Sequence, residues 1–348
     1  IGGCTALLLT GFGINDSIRH VVDDQYDEIT VYDAEASFSS AITDSDLADL
    51  VSRCDLIQSA VPLTTCSVNA SAGGTEKSVV FVAMDGDEAE QYVHFHTGNQ
   101  TLSYPGEGGA LINNSLAAAL HLRVGDTLSL RDSENRECSV TISGIFDNYI
   151  YNYVFVSPET LAASGFDTAQ KAAFVNFTEG ADPHAAAAEL ENQSGVDSVS
   201  ASYDLRTRVG SMMSSMNYIV LLVTVCAGAL AFIVIFDLTN INITERIREI
   251  ATIKVLGFYP METEAYVFRE NMLMTAAGSL VGLGLGVGLH AFVMSQIKID
   301  LVSFPVRIAP LSYLYAVALT FVFAFAVAFF MYYRLKRIPM AESLKSIE

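Results

Sequence analysis

The sequence lacks the constellations that most enzymes carry. It has no GxxxxGK[ST] phosphate loop, no HExxH, no paired CxxC and no GxSxG, which excludes ATP binding by that loop, zinc proteolysis and elbow-type serine hydrolysis by this chain. Basic residues are scarce, 19 Lys and Arg against 39 Asp and Glu, for a net charge of -20. So acidic a chain does not suit nucleic acid or anionic lipid as the partner of its charged part, since both are polyanions. Cysteine is sparse and odd in number. Of five, Cys4 and Cys226 lie in apolar runs, and Cys54, Cys66 and Cys138 lie elsewhere. At most one bridge can form among those three, all three pairings stay open, and a free thiol is an equal reading.

Charge and hydropathy occupy different stretches. Between Asn15 and Met216 fall 30 acidic and 9 basic residues, net -21, which leaves 9 acidic and 10 basic for the remainder. Mean hydropathy is nevertheless +0.37. The excess sits in Tyr218–Phe236, Met272–Ile297 and Ile308–Tyr333, of 19, 26 and 26 residues, where His290 is the sole ionisable basic side chain. A helix needs about 20 apolar residues to cross a hydrocarbon core. The opening IGGCTALLLTGFGI reads as the end of a fourth, truncated span, without the basic n-region of a signal peptide. The expectation is a membrane protein that is a piece of a longer chain: span end at 1–14, outer domain at 15–216, spans at 217–238, 272–297 and 310–333, an elbow at 239–271, a short outer loop at 298–309 and a tail at 334–348.

Basic residues beside spans collect on the cytoplasmic side. Arg246, Arg248 and Lys254 mark the elbow, and Arg334, Lys336, Arg337 and Lys345 mark the tail, against two in the Lys298–Arg307 connection. Elbow and tail are therefore placed inside, and 15–216 outside the plasma membrane. Within 15–216, Tyr26–Tyr32 alternates like a strand. Further strands are expected at Leu56–Leu63, Ser78–Met84, Ala110–Ile112, Thr127–Arg131, Cys138–Phe146 and Tyr153–Val156. Helices are expected at Asp44–Arg53 capped by Thr43, at Ser115–Leu120 and Pro158–Ala163, and at Pro183–Gln193 capped by Asp182. This is an α+β domain, and helical stalks at Asn15–Val22 and Asp204–Asn217 would carry it.

The elbow carries the densest pattern. Ile243, Ile247, Ile250 and Ile253 recur at helical spacing, with Glu245, Arg246, Arg248, Glu249 and Lys254 on the other side, an amphipathic helix. Gly257 suits a left-handed cap, and Pro260 the first turn of the next helix. Lying flat in the interface needs no partner and is the plain reading. In the third span, Gly278, Gly282 and Gly286 recur every fourth residue, which permits close helix approach. Packing within the bundle is the bland reading, a sliding interface the sharper one. His290 reads as a packed or snorkelling residue. His94 and His96 flank Phe95 but lack a third ligand, so no metal, cofactor or catalytic set is assigned. Gly106–Gly109 reads as a turn.

NINITERIREIATIKVLGF, followed by Pro260 and a glycine-rich span, resembles the signature of the FtsX-like permeases of ABC transporters, the group of MacB and the lipoprotein-releasing permeases. Asn240, Asn242, Glu245, Arg246, Arg248, Glu249, Ile250, Lys254, Leu256 and Gly257 carry it. LLLTGFGINDSI resembles the family's first span, and INNSLAAALHLRVGDTLSL with VTISGIF its extracellular core. Long members repeat the unit, and this chain suits their C-terminal half. The resemblance implies a MacB periplasmic-core type outer domain and a non-enzymatic permease subunit. A separate ABC ATP-binding subunit would dock on Glu245, Arg246, Arg248, Glu249, Ile250, Lys254, Leu256 and Gly257, and a second permease half or subunit would complete the assembly in the bilayer. Coupling would serve export, extraction or resistance toward a hydrophobic or peptide substrate. A regulator of a cell-wall hydrolase, an antimicrobial-peptide sensor, and an ATPase-independent receptor or adhesion module are the competing readings.

Overall fold

The computed structural model describes residues 1–245, 249, 252, 260–297 and 302–336. In chain order the elements are α1 (Gly2–Asp23), a π-helical turn (Asp24–Ile29), β1 (Ala34–Phe38), α2 (Asp44–Arg53), β2 (Ile57–Ala72), β3 (Thr75–Ala83), α3 (Gly86–Ala89), β4 (His96–Thr97), β5 (Gln100–Thr101), β6 (Gly109–Asn113), α4 (Asn114–Leu120) and β7 (Thr127–Arg131). There follow β8 (Glu137–Phe146), β9 (Tyr153–Val156), α5 (Pro158–Ser164), β10 (Ala172–Phe177), α6 (Pro183–Glu191), β11 (Val196–Ala201), α7 (Ser202–Glu245), α8 (Pro260–Gln296) and α9 (Pro310–Lys336). The chain divides into two compact units: Ile1–Arg19 with Met213–Ile297 and Pro305–Glu348, and His20–Met212 with Lys298–Phe304.

The second unit is an α+β domain organised by one long strand. The first part of β2 pairs with β10, and the sheet continues through β1 to β11, all antiparallel. From Thr64 onward β2 pairs with β3, and the order runs on through β9, β6, β8 and β7, which returns to β2 at Asn69–Ser71. That return closes six strands on themselves and leaves the ring without a free edge. Phe81, Leu128, Leu130, Ile142 and Val154 fill its core beneath Leu116 and Leu120 of α4. On the four-stranded sheet, Leu47 and Leu50 of α2 and Ala186 and Leu190 of α6 cover Ala34, Ala36, Ala173 and Val175. The helix starts follow local chemistry. Thr43 and Asp46 form a reciprocal capping box, and Asp182 and Ser157 accept from His184 N and Thr160 N with Pro next in line.

One strand expectation is overturned. Tyr26–Tyr32 alternates in sequence but is a π-helical turn over Asp24–Ile29, and the strand of this region is β1, two residues past Tyr32. Burial decides it: the turn puts Gln25 and Ile29 inside, both wholly buried, and leaves Asp27 and Glu28 in water. The other strands and helices expected in this domain stand where they were placed, with β2 running on to Ala72, β3 starting three residues earlier at Thr75, and each remaining end within two residues. β1, β10, β11, the β4–β5 hairpin and α3 were not expected. All five cysteines are free thiols.

The first unit is helical. Val220–Glu245, Arg269–Gln296 and Pro310–Phe330 are long and apolar enough to cross a membrane. Here α1 is the most enclosed helix, with Leu8, Leu9 and Thr5 fully buried and Thr10 nearly so.

Candidate functional site: stalk junction, glycine seam and elbow

Three features stand out, each built from a different part of the sequence. The first is a junction in the α+β unit, where the π-helical turn that follows α1 meets the Asp147–Tyr151 loop. Gln25, 3% exposed, uses its whole amide. Nε2 donates to Asn148 Oδ1 at 2.8 Å and Thr30 Oγ1 at 2.9 Å, while Oε1 accepts from Tyr149 N at 2.8 Å and Ile150 N at 3.2 Å. Asn148 in turn donates to the Ile150 and Tyr151 carbonyls, which holds Tyr151 in a left-handed conformation at φ 60°. A π-turn widens the helix by one residue and aims side chains that a regular helix would not, and such turns concentrate at functional positions.

Two more segments end on this junction. Ser303 N donates to Tyr149 O at 2.8 Å and Val302 bridges Ile150, so part of the connection between α8 and α9 adds to the loop. Val21, Ile150 and Val302 are buried together against Tyr26, Val209 and Phe304. Beside them Arg206 of α7 grips Asp27 with both guanidinium nitrogens at 2.7 and 3.0 Å and reaches Asp23 at 3.5 Å. That fork sits half in water, where each pair contributes about 0–1 kcal/mol. Burial dominates the titration of the neighbouring phenols: it pushes Tyr26 up to about 12, and raises Tyr32 and Tyr153, which hydrogen bond to each other. Glu35 next to them is also raised by burial. The three phenols stay neutral near pH 7 and serve packing.

The second feature lies in the helical unit. The glycines at 278, 282 and 286 face α1. A Cβ added at Gly282 would stand 2.5 Å from Gly2 O and 2.7 Å from Thr5 Cβ, one at Gly278 2.9 Å from Ile1 Cγ2, and one at Gly286 3.0 Å from Leu9 Cβ. Gly284 and Gly288 look onto open space. Three glycines thus allow α1 and α8 to touch backbone to backbone.

The third feature is the elbow. Glu245 is the last residue of α7, and Glu249 is helical and exposed. Arg246, Arg248, Ile250, Lys254, Leu256 and Gly257 lie outside the described residues. Pro260 opens α8 as expected. His94 is exposed with Nδ1 3.2 Å from Glu28 O, and His96 Nδ1 stands 3.9 Å from Asp147 Oδ2. Among the described residues no group of three or more His, Cys, Asp or Glu is placed to hold a metal. Gly106–Gly109 is a turn closed by Gly109 N on Gly106 O.

Sequence reasoning missed the junction. Gln25 and Asn148 are ordinary polar residues in ordinary polar stretches, and the one signal that could have pointed there is the opposite charge of Asp23, Asp24, Asp27 and Glu28 against Arg206 and Arg208.

Residues 1–193, more than half of the chain, match the MacB-like periplasmic core domain, and residues 221–340 match the FtsX-like permease C-terminal model. Among solved structures, the periplasmic region of MacB from Actinobacillus actinomycetemcomitans aligns over 52% of this chain and 94% of its own, at 10% identity and TM-score 0.35. The extracellular domain of the noncanonic ABC-type transporter YknZ from Gram-positive bacteria aligns over 49% and 98%, at 14% identity and TM-score 0.33. A domain of a putative permease protein from Porphyromonas gingivalis aligns over 51% and 90%, at 16% identity and TM-score 0.29. No curated protein matches the chain. On the two family models together, the chain belongs to the FtsX-like permease family of ABC transporters, with a MacB-like periplasmic core as its large domain.

Proposed function

We propose that this chain is the permease subunit of an ABC transporter and converts ATP hydrolysis by a separate subunit into movement of its acidic α+β domain outside the membrane. The observation that carries this is α7. It is a single proline-free helix of 44 residues, about 66 Å at 1.5 Å per residue, roughly twice the ~30 Å hydrocarbon thickness. A helix of that length cannot lie wholly in the bilayer. It leaves β11 directly and ends at Glu245 of the elbow, so a single helical stretch of chain with no intervening loop leads from the elbow to the outer sheet. In this reading the chain has four spans, with α1 as the fourth beside the three long apolar helices, the elbow and tail inside the plasma membrane, and the α+β domain outside.

The partner subunit docks on Glu245, Arg246, Arg248, Glu249, Ile250, Lys254, Leu256 and Gly257, the charged members steering and Ile250 with Leu256 anchoring. At the other end, the Gln25 junction joins both stalks and the α8–α9 connection to the domain. The output is export, extraction or resistance toward a hydrophobic or peptide substrate. The test is a mild-detergent pull-down of the protein with and without Glu249→Arg plus Ile250→Asp. Capture of a nucleotide-binding subunit and its ATPase activity by the unsubstituted protein, lost in the variant with insertion intact, supports the reading. Capture of none by either removes it in favour of a receptor or adhesion module.

A further inference from the structure

Several polar side chains buried in the helical unit, among them His290 and Ser312, meet at Asp16 and Ser17 in the second half of α1. Asp16 Oδ2 accepts from Ala309 N at 3.0 Å and from Ser312 Oγ at 2.6 Å. One donor is the backbone N–H of Ala309, the residue just before Pro310 opens α9, and the other is the Ser312 hydroxyl in its first turn. A carboxylate there satisfies the N–H at the N-cap position, which has no partner inside the helix, and meets the positive end of the helix dipole, yet it comes from a residue 293 positions earlier.

Ser17, the next residue, completes the arrangement. Its hydroxyl donates to Arg307 O at 2.9 Å, and it lies 3.2 Å from His290 Nε2 of α8. Because the hydroxyl proton is committed to the carbonyl, Ser17 Oγ acts as acceptor and the fully buried His290 carries its proton on Nε2. Deeper in the bundle, Thr10 Oγ1 reaches Gly286 O at 3.3 Å and the Thr5 and Thr320 hydroxyls pair at 3.2 Å. The helix α7 differs. From Val220 to Phe236 its polar side chains are Thr224, which bonds back to Val220 O at 2.8 Å, and the exposed Cys226. It meets α9 through Phe232 on Phe323 and through Ile235 among Ala324 and Val327, and α1 through Ala227 beside Leu8 and Leu9 and through Thr224 packed against Gly11.

We infer that Asp16 caps α9 in trans and, with Ser17 and His290, joins α1, α8 and α9 into one hydrogen-bonded body, to which α7 is attached by a separable apolar seam. In an apolar surround a broken hydrogen bond leaves an unsatisfied group, whereas side-chain contacts re-form after a small displacement. The body exists whether or not an ATPase drives it, so its failure and the failure of the transporter reading are separate results.

Hydrogen exchange on the protein in lipid nanodiscs tests it. Asp16→Ala is expected to speed exchange in the Val306–Leu314 peptide by roughly 2- to 30-fold, the range for losing an N-cap. The Val220–Phe236 amides of α7 should not change. Asp16→Asn keeps an acceptor oxygen and should restore most of the protection, and Ser312→Ala, which removes one bond of two, should give a smaller rise if Asp16→Ala does not insert. Unaltered exchange at Val306–Leu314 in Asp16→Ala and Ser312→Ala overturns the cap. An equal rise along α7 overturns the division into body and seam.

Discussion

Removing the Gln25 side chain is the most informative perturbation of the outer domain, because four hydrogen bonds end on one amide. In Gln25→Ala, Tyr149 N and Ile150 N lose their acceptor and Asn148 Oδ1 its donor, while Thr30 sits nearer the surface where water can replace the loss. A buried group left unsatisfied costs roughly 1–3 kcal/mol, and water entering the vacated space recovers part of it. The net expectation is a loss of about 3 kcal/mol. At about 2 kcal/mol per molar urea, the unfolding midpoint of the outer domain falls by about 1.5 M. Pulse proteolysis of the full-length protein in detergent reads this directly, with no dependence on tryptophan, of which the chain has none. Gln25→Glu should be no better, because it sets an acceptor against Asn148 Oδ1. A loss under about 1 kcal/mol in Gln25→Ala would refute the junction as a buried, fully used network.

Three further outcomes follow from particular positions. Gly282→Ala should lower the melting temperature or folded yield by an overpacking cost of about 1–3 kcal/mol, because its Cβ meets backbone at 2.5 Å, whereas Gly284→Ala, with nothing near, should be neutral. The raised carboxyl of Glu35 binds its proton more tightly when folded; its stabilising contribution is complete below the ordinary carboxylate range and is lost as pH rises through the raised value. Glu35→Gln should therefore match the wild-type domain in acid and exceed it in urea resistance at pH 7. Burial pushes the Cys138 thiol up to about 11, so in the folded protein it should alkylate slowly at pH 8 and quickly only after unfolding, as peptide mapping would show.

The sequence made some elements plain and hid others for identifiable reasons. Helices with a capping residue and Pro at the first position, such as α5 and α6, carry their own start signals. Strands with alternating large residues, such as Thr127–Arg131, carry a period. By contrast Ala34–Phe38 is AEASF, with weak strand preference of its own, and becomes a strand because β10 and β11 pair on both sides of it. Closure of the six-stranded ring depends on β2 meeting β7 at Asn69–Ser71, a long-range contact that no local pattern encodes. The Tyr26–Tyr32 alternation misled because the π-turn buries Asp24, Gln25 and Ile29, a pattern that the alternation does not carry. The glycines of α8 were legible as a spacing, and only the fold shows that α1 is what they face. Most of the elbow motif lies outside the described residues, so docking rests on the family resemblance and on the helices that lead to it.

The central claim is that a nucleotide-driven event at the elbow reaches the outer domain through the stalks. The direct measurement is hydrogen exchange of the full-length permease with its captured ATP-binding subunit, with and without a non-hydrolysable nucleotide, read at Asp23–Thr30 and Asp147–Tyr151. The account predicts that exchange at both junction segments changes with nucleotide, in step with the elbow. A response confined to the elbow, with the junction identical in both states, would contradict it.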